Sequence, residues 1–157
     1  MLFPTHAVIG LTISLILGFG YIPLLIGSVI PDLVDKPLGM MDVTSRYQTV
    51  LHSGATVLIF LIIGFVDYVY NGRMIVLLFS IGWLIHIFSD MTNMVVNSRP
   101  NHVKFVLWPF SYHSDPLRLP PGKFYEHYKW TRSFYVEIII WVIFIALASS
   151  KFYSWFV

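Results

Sequence analysis

The sequence predicts an all-α, polytopic membrane protein with three transmembrane helices and an N-terminal re-entrant helical hairpin. Of its 157 residues, 57% are hydrophobic and only 11% are charged, whereas a soluble domain carries about 25% charged residues. The mean hydropathy is +0.73. Four apolar zones divide the chain, and glycine and proline interrupt the first of them. The length fits a single membrane-embedded domain over residues 1–157.

The first apolar zone, His6–Ile30, is the predicted re-entrant hairpin. One straight helix would place His6 about 39 Å from Asp32 at ~1.5 Å per residue, on the other side of a membrane. The segment Gly18–Pro23 predicts a break instead. We expect two arms of about 15–20 Å, which are too short to span a bilayer, with their turn packed against protein. Such a turn returns His6 and Asp32 to one level.

The other three zones are Leu51–Tyr70, Arg73–Val96 and Ser133–Phe156. Each is long enough to cross a bilayer, which takes about 20 residues. Asn71-Gly72 predicts a tight turn that makes the first two of them antiparallel neighbours. The stretch 95–132 is then a long interfacial loop that joins the last two zones.

Three ionisable residues of the second and third zones are expected at one depth. His52 lies nineteen positions before Asn71, and Asp90 lies nineteen positions after it. His86 shares a helix face with Asp90, one turn away. Ionisable groups are expensive in hydrocarbon and need partners. For His86 and Asp90 alone, a buried hydrogen bond and a metal site are equally good interpretations, and convergence with His52 favours the metal.

With the hairpin folded back, six candidate ligands share one membrane face. They are His6, Asp32, Asp35, His52, His86 and Asp90. Histidine nitrogens and carboxylate oxygens suit Zn²⁺, although Mn²⁺ or iron would also accept them. A structural zinc takes four ligands, so six candidates suggest two or more ions with a bridging carboxylate. Asp32 or Asp90 would bridge as the catalytic carboxylate, and metal-activated water would be the nucleophile.

The loops at this face carry most of the basic residues. They are Lys36, Arg46, Arg99, Lys104, Arg118, Lys123, Lys129 and Arg132, against Arg73 and Lys151 on the opposite side. By the positive-inside rule the candidate site faces the cytoplasm, in a multi-pass protein of the cell (inner) membrane. Arg46, Arg99 and Lys104 are candidates for binding a substrate phosphate.

Several motifs occur in an order that resembles a known family. They are Thr5-His6, Pro31-Asp32-Leu33-Val34-Asp35-Lys36-Pro37, His52-Ser53, His86-x-x-x-Asp90 and Leu107-Trp108-Pro109. Over roughly residues 1–110 the chain resembles the membrane-bound metal-dependent hydrolases, the YdjM-like, LexA-regulated inner-membrane family. That family is considered related to zinc-dependent phospholipase C. The resemblance implies metal ligation by His6, Asp32, His52, His86 and Asp90, with Asp35 as a ligand or as a partner of one.

The chain departs from the family at Arg46, which is displaced from its usual place before the second zone, and at Asn93, where many members have threonine. No His-x-x-x-Glu motif is present either, which favours two metals over three. The resemblance implies hydrolysis of a phosphoester, and location at headgroup depth suggests a lipid or lipid-linked substrate among the membrane lipids. Two alternatives stay open, a transporter for metal ions or protons and a non-catalytic, metal-stabilised scaffold.

The remaining ionisable residues have simpler interpretations. His102, His113 and His127 lie in the long loop and are expected to be solvated rather than ligands. As an alternative to a ligand role for Asp35, Asp35 and Lys36 could form a surface ion pair of little energetic value. Glu137, at the start of the last zone, is expected to snorkel or to pair with Arg132. A net charge of +2 gives no reason to expect nucleic-acid binding.

Overall fold

The computed structural model describes residues 1–41, 43, 50–110 and 121–153. Within these ranges the chain is helical and contains no strand. Six α-helices follow one another: α1 (Phe3–Leu17), α2 (Tyr21–Met40), α3 (Gly54–Asn71), α4 (Ile75–Val96), α5 (Pro121–Tyr128) and α6 (Arg132–Tyr153). Two short 3-10 helices, Val50–His52 and Pro100–Leu107, precede α3 and follow α4. The predicted all-α class is confirmed.

Three helices are long and apolar enough to cross a membrane. They are α3, α4 and all but the end of α6. α3 is capped at its C-terminus by Gly72, which begins a short turn to α4. Gly72 has a φ of 68°, which favours glycine, and its N–H donates to the carbonyl of Tyr68. α3 and α4 pack side by side. Three helices that could span a membrane, with a short turn between the first two, are therefore as predicted.

The predicted break in the first zone separates α1 from α2. Gly18 and Gly20 adopt left-handed conformations, with φ of 78° and 79°, which β-carbon-bearing residues rarely tolerate. The two helices then pack against each other so closely that a β-carbon on Gly10 would lie 2.5 Å from Oγ of Ser28. Pro23 sits in the first turn of α2, where a missing N–H costs nothing.

One predicted boundary is wrong: α2 does not end at Pro31 but continues through Pro31 and Pro37 to Met40. A proline in a helix interior loses one hydrogen bond and costs about 3 kcal/mol. Packing of α2 on α1 and α4 offsets this cost. A β-carbon on Gly27 would lie 2.0 Å from the carbonyl oxygen of Phe79, and one on Gly82 would lie 2.3 Å from that of Leu24. Asp32 and Asp35 therefore stand on a helix tightly seated on α4.

Candidate metal centre

Four side chains from three elements meet in the interior beside α4. α2 contributes Asp32, the 3-10 helix before α3 contributes His52, and α4 contributes His86 and Asp90. One ligand atom from each lies within 4.8 Å of the others, and all four residues are buried. These four residues are hereafter the metal centre. The structure thus brings together the residues that the turn geometry predicts at one depth.

Five separations between the donor atoms lie close to those expected around one tetrahedral ion. Nε2 of His52 lies 3.2 Å from Nε2 of His86. Oδ1 of Asp32 is 3.5 Å from the first nitrogen and 3.7 Å from the second. Oδ2 of Asp90 is 3.6 Å and 3.7 Å from the same atoms. Ligands about 2.0–2.1 Å from zinc at tetrahedral angles lie about 3.3–3.4 Å from one another. The donor set could therefore hold a metal ion.

The hydrogen bonds on the far side of each imidazole strengthen this fit. Nδ1 of His86 contacts the backbone carbonyl of Ser28 at 2.7 Å, and Nδ1 of His52 contacts Oδ2 of Asp35 at 2.8 Å. A carbonyl or a carboxylate can only accept, so both Nδ1 atoms carry hydrogen. In the neutral rings both Nε2 atoms then present lone pairs to each other. A cation, or a proton on one ring, is needed between them.

Asp35 contacts the ligand His52 and is not a member of the group itself. Its buried carboxylate fixes the ring orientation and the tautomer, which is the usual role of such a partner. Burial lowers the pKa of His52, but the facing carboxylate of Asp32 and the hydrogen-bonded carboxylate of Asp35 outweigh burial and raise the pKa to about 9. When no metal is bound, a proton on Nε2 of His52 accordingly meets the lone pair of His86.

The second oxygen of each carboxylate points to another side of the centre, where His6 lies. Nε2 of His6 is 3.2 Å from Oδ1 of Asp90 and 4.0 Å from Oδ2 of Asp32. Both ring nitrogens of His6 are buried without a hydrogen bond to the part of the chain that the structure describes. Two ammonium groups approach here: the amino group of Met1, 3.0 Å from Oδ1 of Asp90, and Nζ of Lys36, bonded to Oδ2 of Asp32.

The predicted phosphate-binding residues do not join the centre within the described ranges. Arg46 lies outside the described residues, as do His113 and Arg118. Arg99 and Lys104 form no ion pair with the described carboxylates, and Lys104 is exposed on the 3-10 helix Pro100–Leu107. That helix instead contributes Phe105, whose ring meets the ring of His52 edge-on at 6.1 Å. Neither His102 nor His127 belongs to the group.

Glu137 forms a second buried polar cluster that the sequence reading missed. Its Oε1 accepts from the N–H of Leu2 at 2.8 Å and from the hydroxyl of Tyr128 at 2.6 Å. Its Oε2 accepts from the hydroxyl of Thr5 at 2.7 Å. The prediction that Glu137 snorkels or pairs with Arg132 is therefore wrong. Burial and the contact with Glu137 also raise the pKa of Tyr128, which stays a donor.

The Glu137 cluster (Glu137, Leu2, Thr5 and Tyr128) ties α6 and α5 to the start of α1. A carboxylate beside the first N–H groups of a helix also interacts favourably with the helix dipole. His6 follows Thr5 directly, so this anchoring helps to position His6 beside the metal centre. The signal in the sequence was a carboxylate inside an apolar span, which by default indicates a functional or structural partner.

The fold and the site define a class: an all-helical protein with three helices that could span a membrane and a buried group that could hold a metal ion. Comparisons with protein-family models, with curated proteins and with solved structures found no match. The resemblance to the membrane-bound metal-dependent hydrolases therefore stays a prediction made from motifs.

Proposed function

We propose that this protein is a metal-dependent membrane hydrolase that cleaves a phosphoester of a lipid or lipid-linked substrate. The observation that carries the proposal is the set of five donor separations of 3.2–3.7 Å in the metal centre. The ordered motifs, which resemble the membrane-bound metal-dependent hydrolases and more distantly zinc-dependent phospholipase C, supply the reaction class.

The two carboxylates support a centre with two ions. Oδ1 of Asp32 and Oδ2 of Asp90 face His52 and His86, whereas the opposite oxygens face His6. A first cation position, between His52 and His86, would have four protein ligands. A second position, beside His6, would have three, which is the ligand count of catalytic zinc sites. Divalent cations held there supply Lewis acidity to a phosphoryl oxygen and lower the pKa of a coordinated water.

The protein's own side chains would position the metal ligands and neutralise the charge of the cations. Asp32 and Asp90 would each offer one oxygen to either cation and balance the charge, and Asp35 keeps Nε2 of His52 directed towards Nε2 of His86. Asp90 is the most accessible of the ligands, with 8% of its side chain exposed. Water and substrate are therefore expected to enter beside Asp90. Trp83 on α4 holds the segment before His52 in place, because its Nε1 donates a 2.6 Å hydrogen bond to the carbonyl of Leu51.

The proposed substrate follows from the depth of the centre. His52 immediately precedes the spanning helix α3, and Asp90 lies in the last two turns of α4. These positions support a centre near one membrane face, at headgroup level, with α1 and α2 as a re-entrant hairpin. The excess of basic residues in the adjoining loops supports a cytoplasmic orientation in the inner membrane.

The test measures bound metal and phosphoester cleavage on the same purified protein. Wild type is expected to hold zinc and to hydrolyse a phosphodiester or a phospholipid, and His86→Ala is expected to lose both. Asp67→Asn is the matched control, because within the described residues the Asp67 side chain bonds only to Asn71, at the far end of α3 from His52. A metal-free wild type would rule out both this proposal and the scaffold alternative.

A metal-stabilised scaffold is the second candidate, and one observation favours it. Four protein ligands complete a tetrahedron at the first position, and structural zinc sites are closed in this way. The scaffold predicts that metal and thermal stability are lost together in His86→Ala, while no phosphoester is cleaved by wild type. The hydrolase predicts cleavage by wild type in addition.

The contacts give less support to a transporter. Ser14 and Ser80 are buried, but their hydroxyls donate to their own helices, at the carbonyls of Gly10 and Val76. No chain of ionisable side chains leads from the metal centre along these helices in the described part of the molecule. Zinc or proton flux into liposomes containing the protein would reverse this preference.

A further inference from the structure

Lys36 joins the surface of the protein to the metal centre. It lies one turn after Asp32 on α2, and its Nζ bonds to Oδ2 of that buried carboxylate. Yet 40% of the Lys36 side chain is exposed. Among the described residues it is the one lysine or arginine side chain that pairs with a carboxylate of the centre.

The surroundings of Lys36 are apolar. Leu33 and Met40 lie on the same face of α2, three and four residues away, and are 52% and 55% exposed. A lysine stem can lie along such a surface while its ammonium reaches a polar partner. An amphiphile that arrives over this face would meet apolar side chains with its hydrocarbon part and an ammonium with its anionic part.

The bond to Asp32 neutralises a carboxylate that divalent cations would also neutralise. Once cations occupy both oxygens of Asp32, the ammonium loses its partner, but its flexible stem keeps it within reach of the centre. Lysine binds phosphate as a mobile point charge. A phosphoester at the centre would then replace Asp32 as its anionic partner.

We propose that Lys36, once a metal has replaced it as the partner of Asp32, is the residue that binds the phosphate of the substrate. This inference rests on the proposed phosphoesterase function and assigns its anion-binding group. The ligand chemistry is a phosphoester anion, which a membrane lipid or a soluble phosphoester could provide.

Inorganic phosphate binding to the zinc-loaded protein tests this inference without turnover. Calorimetry on wild type, Lys36→Met, Lys36→Arg and the exposed Lys129→Met provides the comparison. Lys36→Met should weaken phosphate binding at least about tenfold, because a hydrogen bond to a charged group is lost. Lys36→Arg, which keeps the charge, should recover most of the affinity, and Lys129→Met should match wild type.

Zinc affinity, measured by competition with a chromophoric chelator, separates this role from a structural one. Lys36→Met should bind zinc as tightly as wild type or more tightly, because a competing cation is gone. Equal phosphate affinity in Lys36→Met and wild type would overturn the inference, as would a zinc-loaded wild type that binds no phosphate. Loss of zinc together with phosphate in Lys36→Met would also overturn it, in favour of a structural ion pair.

Different results separate rejection of the proposed hydrolase function from rejection of the role assigned to Lys36. Phosphate binding that depends on Lys36 without cleavage of any phosphoester would reject the hydrolase and keep Lys36 as an anion site. Cleavage that survives unchanged in Lys36→Met would keep the hydrolase and reject Lys36. Among active variants, a higher KM in Lys36→Met for long-chain phospholipid but not for a short-chain soluble phosphoester identifies the lipid as the source of the anion. Equal increases in KM for both substrates show that Lys36 recognises the phosphate group and not the lipid part.

Discussion

The protein buries two clusters of polar side chains side by side, and they differ in the balance of donors and acceptors. In the Glu137 cluster, each carboxylate oxygen meets N–H or O–H donors at 2.6–2.8 Å. In the metal centre, two imidazole lone pairs and two carboxylates face one another, and Oδ1 of Asp32 has no hydrogen bond within the described chain. In the first cluster the protein supplies every donor, whereas the second needs a cation or an added proton.

This difference separates a structural network from an ion site better than residue type does. Both clusters contain a carboxylate on a helix long and apolar enough to span a membrane, Asp90 on α4 and Glu137 on α6, and both carboxylates are buried. A buried polar group without a partner costs about 1–3 kcal/mol, and more when it is charged. Acceptors gathered around one point are therefore stable only if something positive lies at that point.

Removing a ligand side chain should have the largest effect on zinc binding. His86→Ala is expected to weaken zinc binding by roughly 100-fold or more, because even losing the partner of a ligand costs about 10–100-fold. Zinc affinity is measured by chelator competition, with Asp67→Asn as the remote control. Zinc bound with wild-type affinity to His86→Ala would show that the four donors do not form one site.

Removing the support of a ligand should have the next largest effect. Asp35→Asn is expected to weaken zinc binding by about 10–100-fold, because Nδ1–H of His52 loses its charged acceptor and the ring loses its fixed orientation. The metal count at saturating zinc should stay that of wild type, since Asp35 is not a member of the metal centre. A lower count in Asp35→Asn would instead make Asp35 a ligand.

Much of the centre was predictable because helix rise is constant. Equal counts on either side of Asn71 put His52 and Asp90 at one depth, and the structure places Nε2 and Oδ2 of these residues 3.6 Å apart. Glycine at 18 and 20 likewise predicted the turn that brings His6 beside Asp90. Helix rise and turn residues are enough to predict which residues share a level when that level depends only on the number of residues between them.

The remaining features depend on contacts that spacing does not encode. α2 continues through Pro31 because it packs closely on α4, and this is a tertiary effect. Whether Asp35 binds metal or His52 depends on side-chain rotamers. Glu137 reaches the N–H of Leu2, 135 positions away, which no pattern along one helix reveals. Lys36 pairs with Asp32 one turn earlier rather than forming a solvated surface pair.

A smaller effect, about tenfold per pH unit, is expected from the proton that competes with zinc. The pKa of His52 without metal is raised from 6.5 to about 9. This proton therefore stabilises the metal-free fold fully below about pH 6.5, and its stabilisation is lost as the pH rises through about 9. Zinc must displace the proton, so zinc affinity should rise with pH up to about 9 and then level off.

Zinc titrations at several pH values check this dependence, and Asp35→Asn sharpens it. Without the Asp35 carboxylate the pKa of His52 falls, so the plateau in zinc affinity should begin at a lower pH than in wild type. A zinc affinity that does not change with pH between 6.5 and 9 would show that His52 carries no competing proton.

The smallest effect on zinc, but a clear one on stability, is expected in the Glu137 cluster. Glu137→Gln keeps the shape of the side chain but removes its charge and one acceptor oxygen, so the N–H of Leu2 and the hydroxyls of Thr5 and Tyr128 are left with a single oxygen acceptor. A loss of about 1–3 kcal/mol in the free energy of unfolding follows for such a buried hydrogen-bonded charge. No hydrogen bond of Glu137 within the described residues reaches a ligand side chain, so zinc affinity at the metal centre should stay within about threefold.

Thermal unfolding in detergent with and without zinc measures both quantities, and Glu126→Gln on the exposed side of α5 is the matched control. If the Glu137 cluster is structural, zinc raises the unfolding temperature of Glu137→Gln as much as that of wild type, from a lower starting point. A loss of zinc stabilisation as large as in His86→Ala would mean that anchoring α1 through Leu2 and Thr5 is part of metal binding itself. His6 would then be the residue that carries the coupling, because it is the side chain of α1 that faces both carboxylates of the centre.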